Sequence, residues 1–194
     1  TIQFAVPRWA GTRPYEQLPF QFSLHLLTPD GSLENNSFLD LSGEDPTAAF
    51  AQALIKACGS QGPVFVYNAG FERGRIKELG VRYPRRRAAL DRLAERVVDL
   101  LPIVEAHYYH PSQEGSWSIK KVLPAMVPDL RYDQLDGVQD GGAAMQAYLE
   151  ATSPNTTAER KGEIQRQLQA YCGLDTYAMV RLWQVLAGRS NLSL

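Results

Sequence analysis

The alternation of apolar and polar residues divides the chain into short strands and longer helices. Residues 20–26 alternate cleanly, which predicts a half-buried strand, and a turn at residues 29–32 leads to a weaker strand around residues 33–41. Two strands joined by a short turn predict an antiparallel hairpin. Residues 64–67 are apolar throughout, as expected of a strand that helices cover on both faces. We therefore expect an α/β fold with a mixed sheet flanked by helices.

The last long segment predicts an amphipathic helix. Thr156 and Glu159 have the spacing of a capping box, and the apolar residues after them fall on one buried stripe, namely Ile164, Leu168, Cys172, Met179, Leu182 and Leu186. Asp175 lies on this stripe, and Tyr171 lies one turn before it. A carboxylate directed at a core needs a cation or several donors beside it. Two interpretations stay open: an Asp–Arg pair with a tyrosine at the rim of the core, or a functional site.

Glu72 lies in the first turn of a helix that follows strand 64–67 and continues to Gly80. Acidic residues in a first turn are stabilised by the helix dipole, which is a sufficient structural explanation. The functional alternative is that open sheets bind ligands at the carboxyl ends of their strands.

An arginine-rich segment follows, with Arg82, Arg85, Arg86, Arg87, Arg92 and Arg96. Such a run is usually a solvated face, and the alternative is a surface that binds the phosphates of nucleic acid.

Composition narrows the class of protein. The 194 residues are 44% hydrophobic, which is enough for one domain, expected over residues 1–187 with a flexible tail at 188–194. The net charge of -1 gives no global attraction to nucleic acid. No apolar run approaches the roughly 18 residues of a membrane span. Cys58 and Cys172 lie far apart on apolar helical stripes, which indicates free thiols in a reducing compartment and hence a cytoplasmic protein.

Several short motifs, taken in their order, resemble those of the DEDD exonucleases of the ribonuclease H-like superfamily. Residues 68–72 (Asn-Ala-Gly-Phe-Glu) resemble the second motif, Asn-x-x-Phe-Asp, and residues 171–175 resemble the Tyr-x-x-x-Asp motif of the DEDDy branch. Asp99-Leu100 and Ser118-Ile119-Lys120 are similar to segments found between those motifs. Gly-Thr-Arg-Pro-Tyr and Pro-Phe-Gln-Phe-Ser-Leu-His, near the start, are similar to an uncharacterised bacterial family of predicted nucleases. Members of that family are often fused behind another nuclease-like domain.

The resemblance implies a ribonuclease H-like fold and a metal-dependent 3'-5' exonuclease acting on single-stranded DNA or RNA. It implies two Mg2+ or Mn2+ ions, with Asp175 as a ligand of the first and Glu72 beside the second. Glu72 stands where the superfamily usually has Asp, so its carboxylate reaches about one methylene further. Tyr171 would orient the attacking water. Candidate substrate-binding residues are Asn68, Phe71, Lys120 and His110.

The first motif of the superfamily, Asp-x-Glu-Thr, is missing from the sequence. Residues 1–7 fit the segment that follows this motif in the similar family, which makes Thr1 the motif's threonine. The resemblance therefore implies a fragment of a longer protein with a truncated first strand, and we expect the fragment to be inactive. Two other functions stay open: a catalytically silent module that binds a partner or nucleic acid, and a hydrolase of small nucleotides.

Overall fold

The computed structural model describes residues 1–28 and 30–189. The strands in this part of the chain are β1 (Gln21–Leu27), β2 (Leu33–Leu39), β3 (Val64–Val66) and β4 (Val97–Asp99). The α-helices are α1 (Thr47–Cys58), α2 (Ala69–Arg82), α3 (Arg87–Glu95), α4 (Leu101–His107), α5 (Ile119–Met126), α6 (Gly141–Ala151) and α7 (Ala158–Leu186). Short 3₁₀ helices occupy Pro84–Arg86, Pro111–Gln113 and Tyr132–Gln134.

The predicted hairpin is confirmed. Strands β1 and β2 are antiparallel, with Gln21 opposite Leu39 and Leu27 opposite Leu33. Pro29 of the predicted turn lies outside the described residues. The rings of Phe22 and Phe38 stack 6.0 Å apart on one face of the hairpin, and both rings meet Phe50 of α1 edge-on. The apolar face of the hairpin is therefore buried by the first helix.

The strand predicted at 64–67 is β3, which pairs in parallel with β4. Its predicted burial is only partial, because Val66 is buried whereas Val64 and Phe65 are half-buried. Helices α2 and α3 form the crossover between these strands, and their apolar faces pack with α1 around Leu79, Leu90 and Leu93. The α/β class is confirmed, but the described strands form two separate two-stranded sheets where one mixed sheet was predicted. No described strand lies between the hairpin and β3 to join them.

Helix α7 confirms the predicted stripe, because Ile164, Leu168 and Leu182 are fully buried. It packs on β1, where the side-chain amide of Gln21 donates to the carbonyl of Leu168 at 2.7 Å. The predicted cap is one residue early. The hydroxyl of Thr157 accepts from the backbone N–H of Arg160 at 3.2 Å, so Thr157 is the N-cap.

Thr156 has a different role, because its hydroxyl donates to the carbonyl of Glu150 and ties the end of α6 to the start of α7. Cys58 and Cys172 are both free.

Residues 1–18 fold back on themselves. Ile2 and Leu18 exchange backbone hydrogen bonds of 2.8 and 2.7 Å, and the N–H of Tyr15 donates to the carbonyl of Phe4 at 2.8 Å. Within the described ranges, no helix combines the length and the apolar character needed to cross a bilayer. Residues 190–194 of the predicted tail lie outside the described part.

Candidate active site

Asp175 is surrounded by side chains from three elements. Tyr171 precedes it by one turn of α7, Lys120 comes from α5, and Tyr132 comes from the 3₁₀ helix after α5. The Lys120 Nζ lies 5.5 Å from the centroid of the Tyr132 ring and 5.8 Å from that of Tyr171. It also donates to the carbonyl of Gln139 at 2.9 Å. An ammonium held between two aromatic faces gains cation–π attraction and keeps donors for a further acceptor.

Burial raises the pKa of Asp175 above its ordinary value. The hydroxyls of Tyr132 and Tyr171 and the charge of Lys120 oppose this rise but do not cancel it. The Tyr132 hydroxyl acts on the Asp175 carboxyl. This hydroxyl is buried, and it has no hydrogen-bond partner of normal geometry among the described residues. The cation that acts on Asp175 is therefore a lysine.

Glu72 lies in the first turn of α2, and its Oε2 is buried with no hydrogen-bond partner in the described part of the chain. Burial raises the pKa of Glu72 to about 7, and repulsion from Asp99 adds to the rise. Asp99 accepts hydrogen bonds from the backbone N–H groups of Asn68, Ala69 and Leu101 at 2.9, 2.8 and 3.0 Å. It thereby holds the start of α2 against the end of β4 and fixes the position of Glu72.

The two carboxylates belong to different groups of side chains. Tyr132, Tyr171 and Lys120 act on Asp175, whereas Asp99 acts on Glu72.

The donor set fits a hard cation in part. Carboxylate oxygens are the ligands that Mg2+ and Mn2+ prefer, and the unpartnered Oε2 of Glu72 is such an oxygen. Among the residues that the structure describes, however, no group of three or more His, Cys, Asp or Glu residues is arranged to hold a metal. Glu72 and Asp175 are therefore not part of a complete metal-binding group within the described ranges.

Of the candidate substrate-binding residues, Asn68 and Phe71 lie with Glu72 at the start of α2. Asn68 adopts a left-handed conformation with φ 68°, which Asn tolerates better than most residues. Phe71 is 46% exposed, and the Arg75 guanidinium lies 5.5 Å from its ring centroid. His110 instead caps a short 3₁₀ helix, where its Nδ1 accepts from the N–H of Ser112 at 3.2 Å.

The arginine run includes two structural anchors. The Arg96 guanidinium donates to the carbonyls of four residues before β3, which are Cys58, Gly59, Gln61 and Gly62. Arg82 forms an ion pair with Asp45 at 2.6 Å and donates to the carbonyls of Ala10 and Gly11. These two side chains hold loops together. For Arg82 and Arg96, therefore, both interpretations of the arginine run, a solvated face and a phosphate-binding surface, are wrong.

Sequence reasoning missed Tyr132 as a neighbour of Asp175 and Asp99 as the acceptor that positions Glu72. Tyr132 is a single aromatic among polar residues, and it has no periodic signal. Asp99 had a usable signal, because an Asp at the end of an apolar strand and just before a helix is a common local capping residue.

The fold and this site define an α/β protein with two half-buried carboxylates carried by separate helices. The chain belongs to the family described as "Domain of unknown function (DUF2779)", whose sequence model matches residues 1–118. That range includes Glu72 and Asp99. Comparison with curated proteins gave no match, and comparison with solved structures gave none either.

Proposed function

We propose that this chain is a domain of a metal-dependent nuclease with a ribonuclease H-like arrangement, which shortens single-stranded DNA or RNA from its 3' end. The observation that carries the proposal is the group formed by Asp175, Tyr171, Tyr132 and Lys120. It combines a half-buried carboxylate, two hydroxyls and a cation held by aromatic faces. The direction of shortening and the ribonuclease H-like arrangement come from the motif resemblance.

Phosphodiester hydrolysis needs a deprotonated water, neutralised phosphate charge and a stabilised leaving oxygen. Bound Mg2+ or Mn2+ supplies these by lowering the pKa of water and polarising the phosphate. In the proposal Asp175 and Glu72 provide oxygen ligands, and the remaining carboxylates come from the first motif, which the resemblance puts before Thr1. The Oε2 of Glu72, which is buried with no partner in the described part of the chain, is poised for a cation because metal binding removes the cost of its burial.

The other side chains have separate roles in the proposal. The Tyr171 hydroxyl orients the attacking water, and Lys120 contacts a phosphate oxygen with a donor not used on Gln139. The exposed ring of Phe71 stacks on a base near the start of α2, and the side chain of Asn68 contacts the same nucleotide. The free thiols of Cys58 and Cys172 are compatible with the reducing cytoplasm.

The test uses the complete gene product that contains this chain, a 5'-labelled single-stranded oligonucleotide and Mn2+. We expect a ladder of products shortened from the 3' end. Asp175→Asn should nearly abolish the activity with the circular dichroism spectrum unchanged, because the substitution removes a ligand charge and keeps the shape. Tyr171→Phe should lower kcat while Mn2+ affinity, measured by calorimetry with the metal alone, stays the same.

Unchanged hydrolysis in Asp175→Asn would refute the assignment of the site. If the complete protein binds the strand and cleaves nothing at any Mn2+ concentration, the chain is a binding module instead. Release of phosphate from mononucleotides, without shortening of strands, would identify a hydrolase of small nucleotides.

A further inference from the structure

A second feature lies beside the candidate active site and has no role in the proposed hydrolysis. An open cleft of about 460 Å³ lies between the loop of residues 13–17 and the side chains of Arg75 and Glu78 on α2. Arg75 connects the two regions, because it follows Glu72 by one turn and its guanidinium lies over the ring of Phe71. A ligand in the cleft would therefore lie next to the start of α2.

Tyr15 in this cleft has an unusual combination of properties. Its side chain is 67% exposed, and its backbone adopts a left-handed conformation with φ 58°. For a bulky aromatic residue this conformation is strained, and little burial of the ring offsets the strain. Residues held in strained conformations cluster at functional sites, where the surrounding structure imposes the geometry. Here the backbone N–H of Tyr15 is held by the carbonyl of Phe4.

The wall of the cleft contains two guanidinium groups. Arg75 donates to Gln17 and to Glu78 at 2.7 Å each, and its Nε is buried with no partner among the described residues. The side chain of Arg13 is 77% exposed, and its Nε lies 4.0 Å from Glu16. Guanidinium groups bind phosphate through paired donors, and an exposed aromatic ring stacks on a base of any sequence.

We propose that this cleft binds one nucleotide unit, with its base on Tyr15 and its phosphate on Arg13 and Arg75. The unit is either a free nucleotide or part of a single strand, since both present the same base and phosphate. The choice of a nucleotide over another aromatic anion rests on the proposed function.

One carboxylate of the cleft provides a further test of the proposal. Glu78 is paired with Arg75, and a phosphate must compete with it for the same guanidinium. Glu78→Gln removes this competing charge and should therefore tighten nucleotide binding, an effect that damage to the fold would not produce.

The experiment measures binding of a fluorescent oligothymidylate to the full chain by anisotropy in EDTA, which prevents cleavage. Tyr15→Ala should weaken binding about tenfold, since base stacking on an aromatic ring contributes about 1–3 kcal/mol. Tyr15→Phe should bind like the wild type, Arg13→Gln should weaken binding, and Glu78→Gln should tighten it about two- to fivefold. Tyr109→Ala and Arg166→Gln remove an exposed tyrosine and an exposed arginine elsewhere, and both should leave binding unchanged.

Unlabelled AMP distinguishes the two sources of the ligand. If AMP displaces the oligothymidylate, the cleft accepts free nucleotides as well as the strand, and if it does not, the cleft takes the strand alone. Equal affinity of wild type and Tyr15→Ala, equal loss in Tyr109→Ala, or no binding of either probe would overturn the proposal. If Tyr15→Ala changes neither hydrolysis nor oligothymidylate binding, the proposed cleft is refuted and the proposed nuclease function is not. Binding through Tyr15 without any hydrolysis would refute the nuclease and keep the cleft.

Discussion

Glu72→Gln should stabilise the metal-free protein in a pH-dependent way. The pKa of the Glu72 carboxyl is raised to about 7 from the ordinary 4.5, first by burial and then by the charge of Asp99. Below about pH 4.5 the carboxyl is protonated in both the folded and unfolded states, so the two proteins should have similar stability. Between about pH 4.5 and 7 the unfolded state has released the proton that the folded state still holds, so the wild type loses stability as the pH rises. Above about pH 7 the carboxyl is ionised in both states, and the stability of the wild type falls no further from this cause.

The size of the effect follows from the two pKa values. At 1.36 kcal/mol per pH unit, the difference between about 7 and 4.5 corresponds to about 3 kcal/mol as an upper limit. The carboxyl keeps some contact with solvent, which reduces the expected effect to about 2 kcal/mol. Gln has the same shape and also leaves a buried polar group without a partner, so the comparison isolates the charge.

The assay is urea denaturation of both proteins in EDTA at pH values from 4 to 8. Glu95→Gln, which removes an exposed carboxylate on α3, controls for general changes in net charge. In Asp99→Asn, the gain from Glu72→Gln at pH 8 should shrink, because the repelling charge is gone. A gain that is constant across the pH range, or a Gln variant less stable than wild type at pH 8, would show that Glu72 is not held in the environment described.

Three further substitutions test the supporting structure, each by urea denaturation. Asp99→Ala removes the acceptor of three backbone N–H groups and should destabilise the protein by about 2 kcal/mol, and a loss under about 0.5 kcal/mol would contradict its positioning role. Arg96→Ala should lower the free energy of unfolding by about 2–3 kcal/mol, because four carbonyls lose a charged donor. The control Arg92→Ala, at an exposed position, should change it by less than about 0.5 kcal/mol. Equal losses in the two variants would refute the role of Arg96 as an anchor. Tyr15→Gly should stabilise by about 1 kcal/mol, because Gly accepts a positive φ and little buried surface is lost, and destabilisation would show that Tyr15 is not strained.

Local sequence patterns predicted the individual elements well. The hairpin and the stripe of α7 follow from side-chain periods of two and 3.6 residues, and strand β3 follows from a short uninterrupted apolar run. A short window of sequence contains all three patterns. The ends of elements were less well determined. Thr156 and Thr157 are both good caps, and the choice between them depends on the contact of Thr156 with α6.

The surroundings of the candidate site were decided by tertiary structure. Asp175 and Tyr171 could be paired from their helical spacing, but the proximity of Lys120 and Tyr132 depends on how α5 packs against α7. The spacing of arginines likewise did not distinguish Arg96, which binds loop carbonyls, from exposed Arg92. Such contacts join residues far apart in the chain, and their energies depend on burial and on which groups remain unpaired, neither of which a local pattern contains.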